Sequence, residues 1–158
     1  LIFLTGTLGE AKKGLELIKE NMAKIDLNSK YVKKFLSPNL NFEFAAELSA
    51  IANSCIDVSD GLISDLGHIL EASKVGAEIN VEKIGLVGKV EDALTWGDDY
   101  ELLMTISPYQ KQSLLEISKR FDVDVSEIGK ITRESDLRVI EKGSLISFSK
   151  SGYNHFNE

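Results

Sequence analysis

Apolar positions along the chain recur with two periods, and the switches between them mark the expected elements. Leu1 to Leu4 is an apolar run that reads as a buried strand, and Thr5-Gly6-Thr7-Leu8-Gly9 forms a turn. Glu10 to Lys19 then carries Ala11, Leu15 and Ile18 at helical spacing, with Asn21 near its end. Lys30 to Leu36 is expected as a short basic helix stopped by Pro38, and Phe42 to Ala52 as an amphipathic helix with Phe44, Ala45, Leu48 and Ile51 inward. Cys55-Ile56-Asp57-Val58 reads as the end of a short buried strand. From there Leu62, Leu66, Ile69 and Leu70 trace the stripe of a helix over Leu62–Ser73, stopped by Gly76. Ala77 to Val81 alternates like a strand, residues 82–95 are punctuated by glycine around a short helix near Val90–Leu94, and Leu102 to Ile106 is a strand. Pro108 opens a helix at its first position, running to about Arg120 with Leu114, Leu115 and Ile117 inside. Val125 to Ile131 is a further strand, and Leu137–Ile140 and Leu145–Phe148 flank Lys142-Gly143 as a hairpin.

This pattern predicts one compact domain that mixes helices with five to seven strands. Its 158 residues suffice for a sizeable core, and 43% hydrophobic with 27% charged residues is ordinary for a soluble globular protein. A formal net charge of −7 argues against nucleic acid or an anionic membrane as partner. No apolar run approaches the ~20 residues of a membrane span, and the start does not resemble a signal peptide. The lone Cys55 excludes an internal disulfide and fits a reducing, cytoplasmic compartment. Because Leu1 is not a methionine and the first residues already read as a strand, the chain is expected to be a fragment lacking an upstream half.

The stretch richest in candidate chemistry is Cys55 to Asp65, C-I-D-V-S-D-G-L-I-S-D. Asp57, Asp60 and Asp65 and the hydroxyls of Ser59 and Ser64 fall within nine positions at a strand-to-helix turn. Outward backbone N–H groups and a helix dipole there would suit a phosphate, and carboxylates with a hydroxyl suit Mg²⁺. The alternative is simple capping, since Ser and Asp are preferred caps and Gly61 eases a tight turn. Asp57 fits capping less well, because a carboxylate inside an apolar strand is costly to bury unless paired or bound.

Gly97 to Glu101 places three carboxylates and a tyrosine in five residues, either as a solvated turn or as a polar loop for a ligand or metal. Thr5 to Gly9 lacks the full pattern of a phosphate-binding loop and is read as structural. Tyr153 could stack on a flat ligand or anchor the tail; His68 is read as a satisfied structural histidine. No catalytic nucleophile emerges, and Cys55 has no evident activator.

In order, Leu4-Thr5-Gly6-Thr7-Leu8-Gly9, Ile56-Asp57-Val58-Ser59-Asp60-Gly61-Leu62 with Asp65-Leu66-Gly67-His68, Gly97-Asp98-Asp99-Tyr100-Glu101-Leu102 and Gly152-Tyr153-Asn154-His155-Phe156 span nearly the whole chain. Together these blocks resemble the C-terminal half of the thiamine-monophosphate kinase family. That family belongs to the ATP-binding superfamily of aminoimidazole ribonucleotide synthetase, selenophosphate synthetase and a hydrogenase-maturation protein. The resemblance implies an α+β fold, a three-layer α/β/α sandwich with a mixed β-sheet. It implies Mg²⁺-dependent transfer of the ATP γ-phosphate to thiamine monophosphate, in line and without a phosphoenzyme. Carried over position by position, Asp57 and Asp60 are expected as metal ligands and Ser59 as an ATP contact. Asp98 is expected to contact substrate and Tyr153 to meet the thiamine. Family members usually carry Glu where Asp98 stands, one methylene longer. The family's N-terminal half supplies further metal ligands, much of the ATP pocket and the homodimer interface, so the 158 residues alone are expected to be one folded, inactive domain. The alternatives are another enzyme of the same superfamily and a non-catalytic binding domain that kept the fold. The D-Y-E-L block and the G-Y-x-H-F tail favour the thiamine enzyme.

Overall fold

The computed structural model describes residues 1–148. Elements β1 (Ile2–Thr5), β2 (Thr7–Leu8), α1 (Glu10–Glu20), α2 (Lys30–Leu36), α3 (Phe42–Leu48), β3 (Ala52–Asp57) and α4 (Leu62–Ser73) come first. They are followed by β4 (Gly76–Asn80), β5 (Gly85–Leu86), α5 (Val90–Thr95), β6 (Leu102–Ile106), α6 (Lys111–Phe121), β7 (Val125–Thr132), β8 (Leu137–Glu141) and β9 (Ser144–Ile146). Seven strands form one sheet in the order β3-β6-β1-β7-β4-β8-β9. The β4–β8 pair is parallel and every other neighbouring pair antiparallel, so the sheet is mixed. The two-residue strands β2 and β5 pair in parallel outside it.

Side chains leaving the two faces of the central strands build two separate cores. From β1, Ile2 and Leu4 enter one core and Phe3 the other; from β6, Leu103 enters the first, Met104 and Ile106 the second. Leu62, Leu66, Ile69 and Leu70 of α4, with Ala93 and Leu94 of α5, cover the first core. Phe44 and Leu48 of α3 and Leu114 of α6 cover the second, where the Phe44 and Phe121 rings meet edge to face at 6.3 Å. Helix, sheet and helix therefore form three layers, as the family resemblance implies. Fully burying each of these large apolar side chains contributes about 1.5–3 kcal/mol.

Two expectations change. The helix expected to reach Ala52 ends at Leu48, because the N–H groups of Ser49, Ala50 and Ile51 tighten onto the carbonyls of Ala46, Glu47 and Leu48, and the chain then enters β3. Ile51 still packs inward. β3 is an edge strand rather than a buried one, with Asn53, Cys55 and Asp57 exposed. The burial argument for Asp57 therefore falls, since its carboxylate stands in solvent at the end of the strand.

Candidate functional site

At its C-terminal end β3 pairs with the start of β6, Asp57 opposite Leu102. The backbone continues this pairing beyond both strands: Val58 N–H donates to Glu101 O (2.7 Å), Tyr100 N–H to Val58 O (2.9 Å) and Asp98 N–H to Ser59 O (3.1 Å). Two stretches some forty residues apart in sequence thus lie side by side. Their approach is so close that a Cβ on Gly97 would fall 1.7 Å from the Ser59 carbonyl oxygen. Gly61, at φ 109°, meets the Thr95 backbone at 2.8 Å from where a Cβ would stand, so both glycines are required. On the facing loop Asp98 and Tyr100 hold positive φ of 66° and 51°, a conformation uncommon outside glycine and frequent at ligand-binding loops.

The turn is not a set of open amides. The Asp65 carboxylate, 2% exposed, accepts the N–H groups of Ser59 (3.0 Å) and Asp60 (3.1 Å) through one oxygen, Oδ2. Burial raises the Asp65 pKa, and the charges of Asp60 and Asp57 act in the same direction, while the two N–H bonds oppose them. The expected anion cradle of outward N–H groups at Ser59 and Asp60 is therefore replaced by an internal carboxylate. Simple capping is not realised either, since Gly61 is the residue at the helix start and makes no side-chain cap bond.

The acidic loop is equally far from a solvated turn. Asp99 is fully buried and accepts Gly9 N–H (2.6 Å) and Ala11 N–H (3.0 Å), capping α1 and fastening the Thr5–Gly9 loop to the site. Burial pushes its pKa up to about 6 against those two bonds and the Lys34 charge. Glu101, also buried, accepts the Thr5 hydroxyl at 2.5 Å and pairs with Lys34 Nζ at 2.5 Å, while Thr5 Oγ1 accepts Leu102 N–H at 2.8 Å. Asp99, Glu101, Thr5 and Lys34 hold the frame, and the structural reading of Thr5–Gly9 stands. No periodicity signals such pairings, because each joins residues more than sixty positions apart; a carboxylate directly before an apolar strand is the one local hint.

Of the residues expected to meet ligands, Asp57 is exposed, and Ser59, Asp60 and Asp98 are half-buried along the rim where turn and loop meet. Tyr153 and His155 lie outside the described residues. Among the described residues, Asp60, Asp65 and His68 each offer a ligand atom within 4.8 Å of the others. His68 is exposed on α4, beside Asp60 and Asp65. The Asp57 and Asp60 carboxylates and the Ser59 hydroxyl are of the type that suits Mg²⁺, a hard cation held through one or two carboxylates together with phosphate oxygens. Cys55 is a poor nucleophile, since desolvation and then the Asp57 charge push its thiol pKa up.

Residues 1–142 match the family model described as AIR synthase related protein, C-terminal domain. The thiamine-monophosphate kinase of Buchnera aphidicola subsp. Acyrthosiphon pisum is 40% identical over 170 aligned positions, covering 99% of this chain and 53% of that protein. The crystal structure of thiamine-monophosphate kinase from Stenotrophomonas maltophilia K279a superposes with a TM-score of 0.79 at 31% identity, over 87% of this chain and 49% of that one. The structure of AaThiL complexed with AMPPCP and TMP gives 0.77 at 28% identity, over 98% and 50%. The chain spans about half the length of the curated relatives it matches.

Proposed function

We propose that this chain, which belongs to the AIR synthase related protein, C-terminal domain family, is the C-terminal half of a thiamine-monophosphate kinase. The observation that supports the reading is the backbone pairing of the Asp57–Gly61 turn with the Gly97–Glu101 loop, which brings the stretch carrying Asp57, Ser59 and Asp60 beside the stretch carrying Asp98. Relatives of that name and a solved relative complexed with AMPPCP and TMP supply the substrates: ATP, and thiamine monophosphate as acceptor.

In this reading Asp57 and Asp60 hold Mg²⁺, which when bound neutralises charge on the phosphate oxygens. Ser59 contacts ATP through its hydroxyl, because Asp65 already occupies its N–H. Asp98, held at positive φ by the loop, orients the acceptor, and Tyr153 meets the thiamine. Positioning supplies most of the rate in phosphoryl transfer, and the rigid turn–loop pair aligns the acceptor phosphate in line with the γ-phosphorus. No protein nucleophile takes part. Residues beyond this chain complete the ATP pocket and the homodimer, and the 158 residues alone turn over little or no substrate.

The test is thiamine diphosphate formation from thiamine monophosphate, ATP and Mg²⁺ by the complete reading frame, beside its Asp60→Asn variant and the 158-residue chain. Activity in the complete protein alone supports the reading. A silent complete protein rejects it in favour of a binding domain or another substrate, and turnover by the 158 residues rejects the division of labour.

A further inference from the structure

The turn that carries the proposed ligands is gripped from both sides. On its carbonyl side, Val58 and Ser59 accept N–H groups from the Gly97–Glu101 loop. On its amide side, Ser59 N–H and Asp60 N–H both donate to the Asp65 carboxylate, at 3.0 and 3.1 Å. Asp65 stands in the first turn of α4, where its own N–H donates to Gly61 O at 3.0 Å, and the same helix buries Leu62, Leu66, Ile69 and Leu70 in the first core. The carboxylate is thus fixed to a helix packed into the first core and reaches back to fix the turn. We infer that Asp65 is a positioning residue that locks the Ser59–Asp60 backbone and thereby sets where Asp57, Ser59 and Asp60 present their oxygens. This inference rests on the ligand roles proposed above for those three residues.

A competing role is visible, because Asp65 also lies beside Asp60 and His68, close enough to share a cation with them. The geometry separates the two. Both N–H bonds converge on a single oxygen, Oδ2, so an asparagine can supply that acceptor through its amide oxygen and keep the turn. A direct ligand loses its negative charge in asparagine, and the cation is then held more weakly. Loss of an outer partner that orients metal ligands reduces affinity by about 10–100-fold.

The experiment compares the complete protein with its Asp65→Asn and Asp65→Ala variants by two readouts that do not require turnover. One is Mn²⁺ affinity, followed by the resonance of the free ion; the other is amide hydrogen exchange at Ser59 and Asp60. Steady-state kcat and KM for Mg·ATP run alongside. Asp65→Asn is expected to bind Mn²⁺ within about threefold of wild type and to retain slow exchange, whereas Asp65→Ala binds about tenfold or more weakly and exchanges faster only at the turn. An Asp65→Asn variant as weak as Asp65→Ala overturns positioning in favour of direct ligation, and wild-type affinity in Asp65→Ala overturns it outright. Should Asp65→Ala fail to fold, Asp65→Asn decides alone, by retention or loss of affinity and protection. A wild type that binds Mn²⁺ yet forms no thiamine diphosphate rejects the kinase reading while the affinity comparison still judges Asp65; one that binds no Mn²⁺ overturns both.

Discussion

Replacing Asp99 by asparagine should remove a pH dependence of stability that the buried carboxylate imposes. Asp99 is 0% exposed, and burial raises its pKa from an ordinary 3.8 to about 6. A raised carboxylate pKa means that the folded state holds the proton more tightly than the unfolded chain does. The stabilisation by that proton is complete below about pH 3.8 and is lost as pH rises through about 6. At about 1.4 kcal/mol per pH unit, the displacement corresponds to about 3 kcal/mol. Asparagine keeps the shape but offers one acceptor oxygen where the carboxylate uses two, for Gly9 N–H and Ala11 N–H, which costs about 1–3 kcal/mol at any pH. Asp65 and Glu127 also carry shifted pKa values, in opposite directions, and they cancel in the comparison of the two proteins. The assay is urea unfolding of this chain and Asp99→Asn from about pH 4 to about pH 8, read through the single tryptophan, Trp96. Wild type should lose about 2 kcal/mol relative to the variant across that range, most of it before about pH 7. Parallel stability curves would refute the reasoning, and a wild type that gains on the variant as pH rises would reverse its sign.

Gly97→Ala should destabilise by about 3 kcal/mol or more, because its Cβ would collide with the Ser59 carbonyl. Gly67→Ala, on α4 with nothing within 4 Å of the new methyl, should instead stabilise by about 0.5–1 kcal/mol; thermal unfolding of both variants checks the contrast. Glu101→Gln strands Lys34, whose side chain is 13% exposed, and leaves the Thr5 hydroxyl a weaker acceptor, so a loss of about 3 kcal/mol in urea unfolding is expected. A change within about 0.5 kcal/mol would mean that Lys34 reaches water instead.

Much of the layering was legible because apolar spacing reports burial on a strand or helix face. Leu1 to Leu4 as a buried strand, and Leu62, Leu66, Ile69 and Leu70 along α4, needed no more than the apolar pattern, although the split of Ile2 and Leu4 from Phe3 between two cores did not show in an unbroken apolar run. The hairpin at Lys142-Gly143 was equally plain, and both residues adopt the positive φ that such a two-residue turn demands. β2 and β5 went unforeseen, since two residues carry no period. The end of α3 differs because Ile51 continues the apolar stripe while the hydrogen bonds of Ser49, Ala50 and Ile51 close a tighter turn. At the site, Asp57, Ser59, Asp60 and Asp98 were named by the family resemblance, since residue type alone left capping and a solvated loop open. Neither could say that Asp65 takes the turn's amides or that Asp99 and Glu101 are buried. The burial of Asp99 and Glu101 depends on partners at Gly9, Thr5 and Lys34, which only the folded sheet brings near, whereas the Asp65 bonds to Ser59 and Asp60 are local but leave no mark in the apolar pattern.

The central claim is that the Asp57–Gly61 turn and the Gly97–Glu101 loop form one ligand site. The most direct test is a Mn²⁺ titration of the complete protein, with a non-hydrolysable ATP analogue present, followed by paramagnetic broadening of assigned amide signals. The account predicts that residues 57–60 and 98 broaden together at the lowest Mn²⁺ concentrations, and that Asp57→Asn with Asp60→Asn abolishes the effect at both stretches. Broadening centred elsewhere on the chain, or surviving that double substitution, would contradict it.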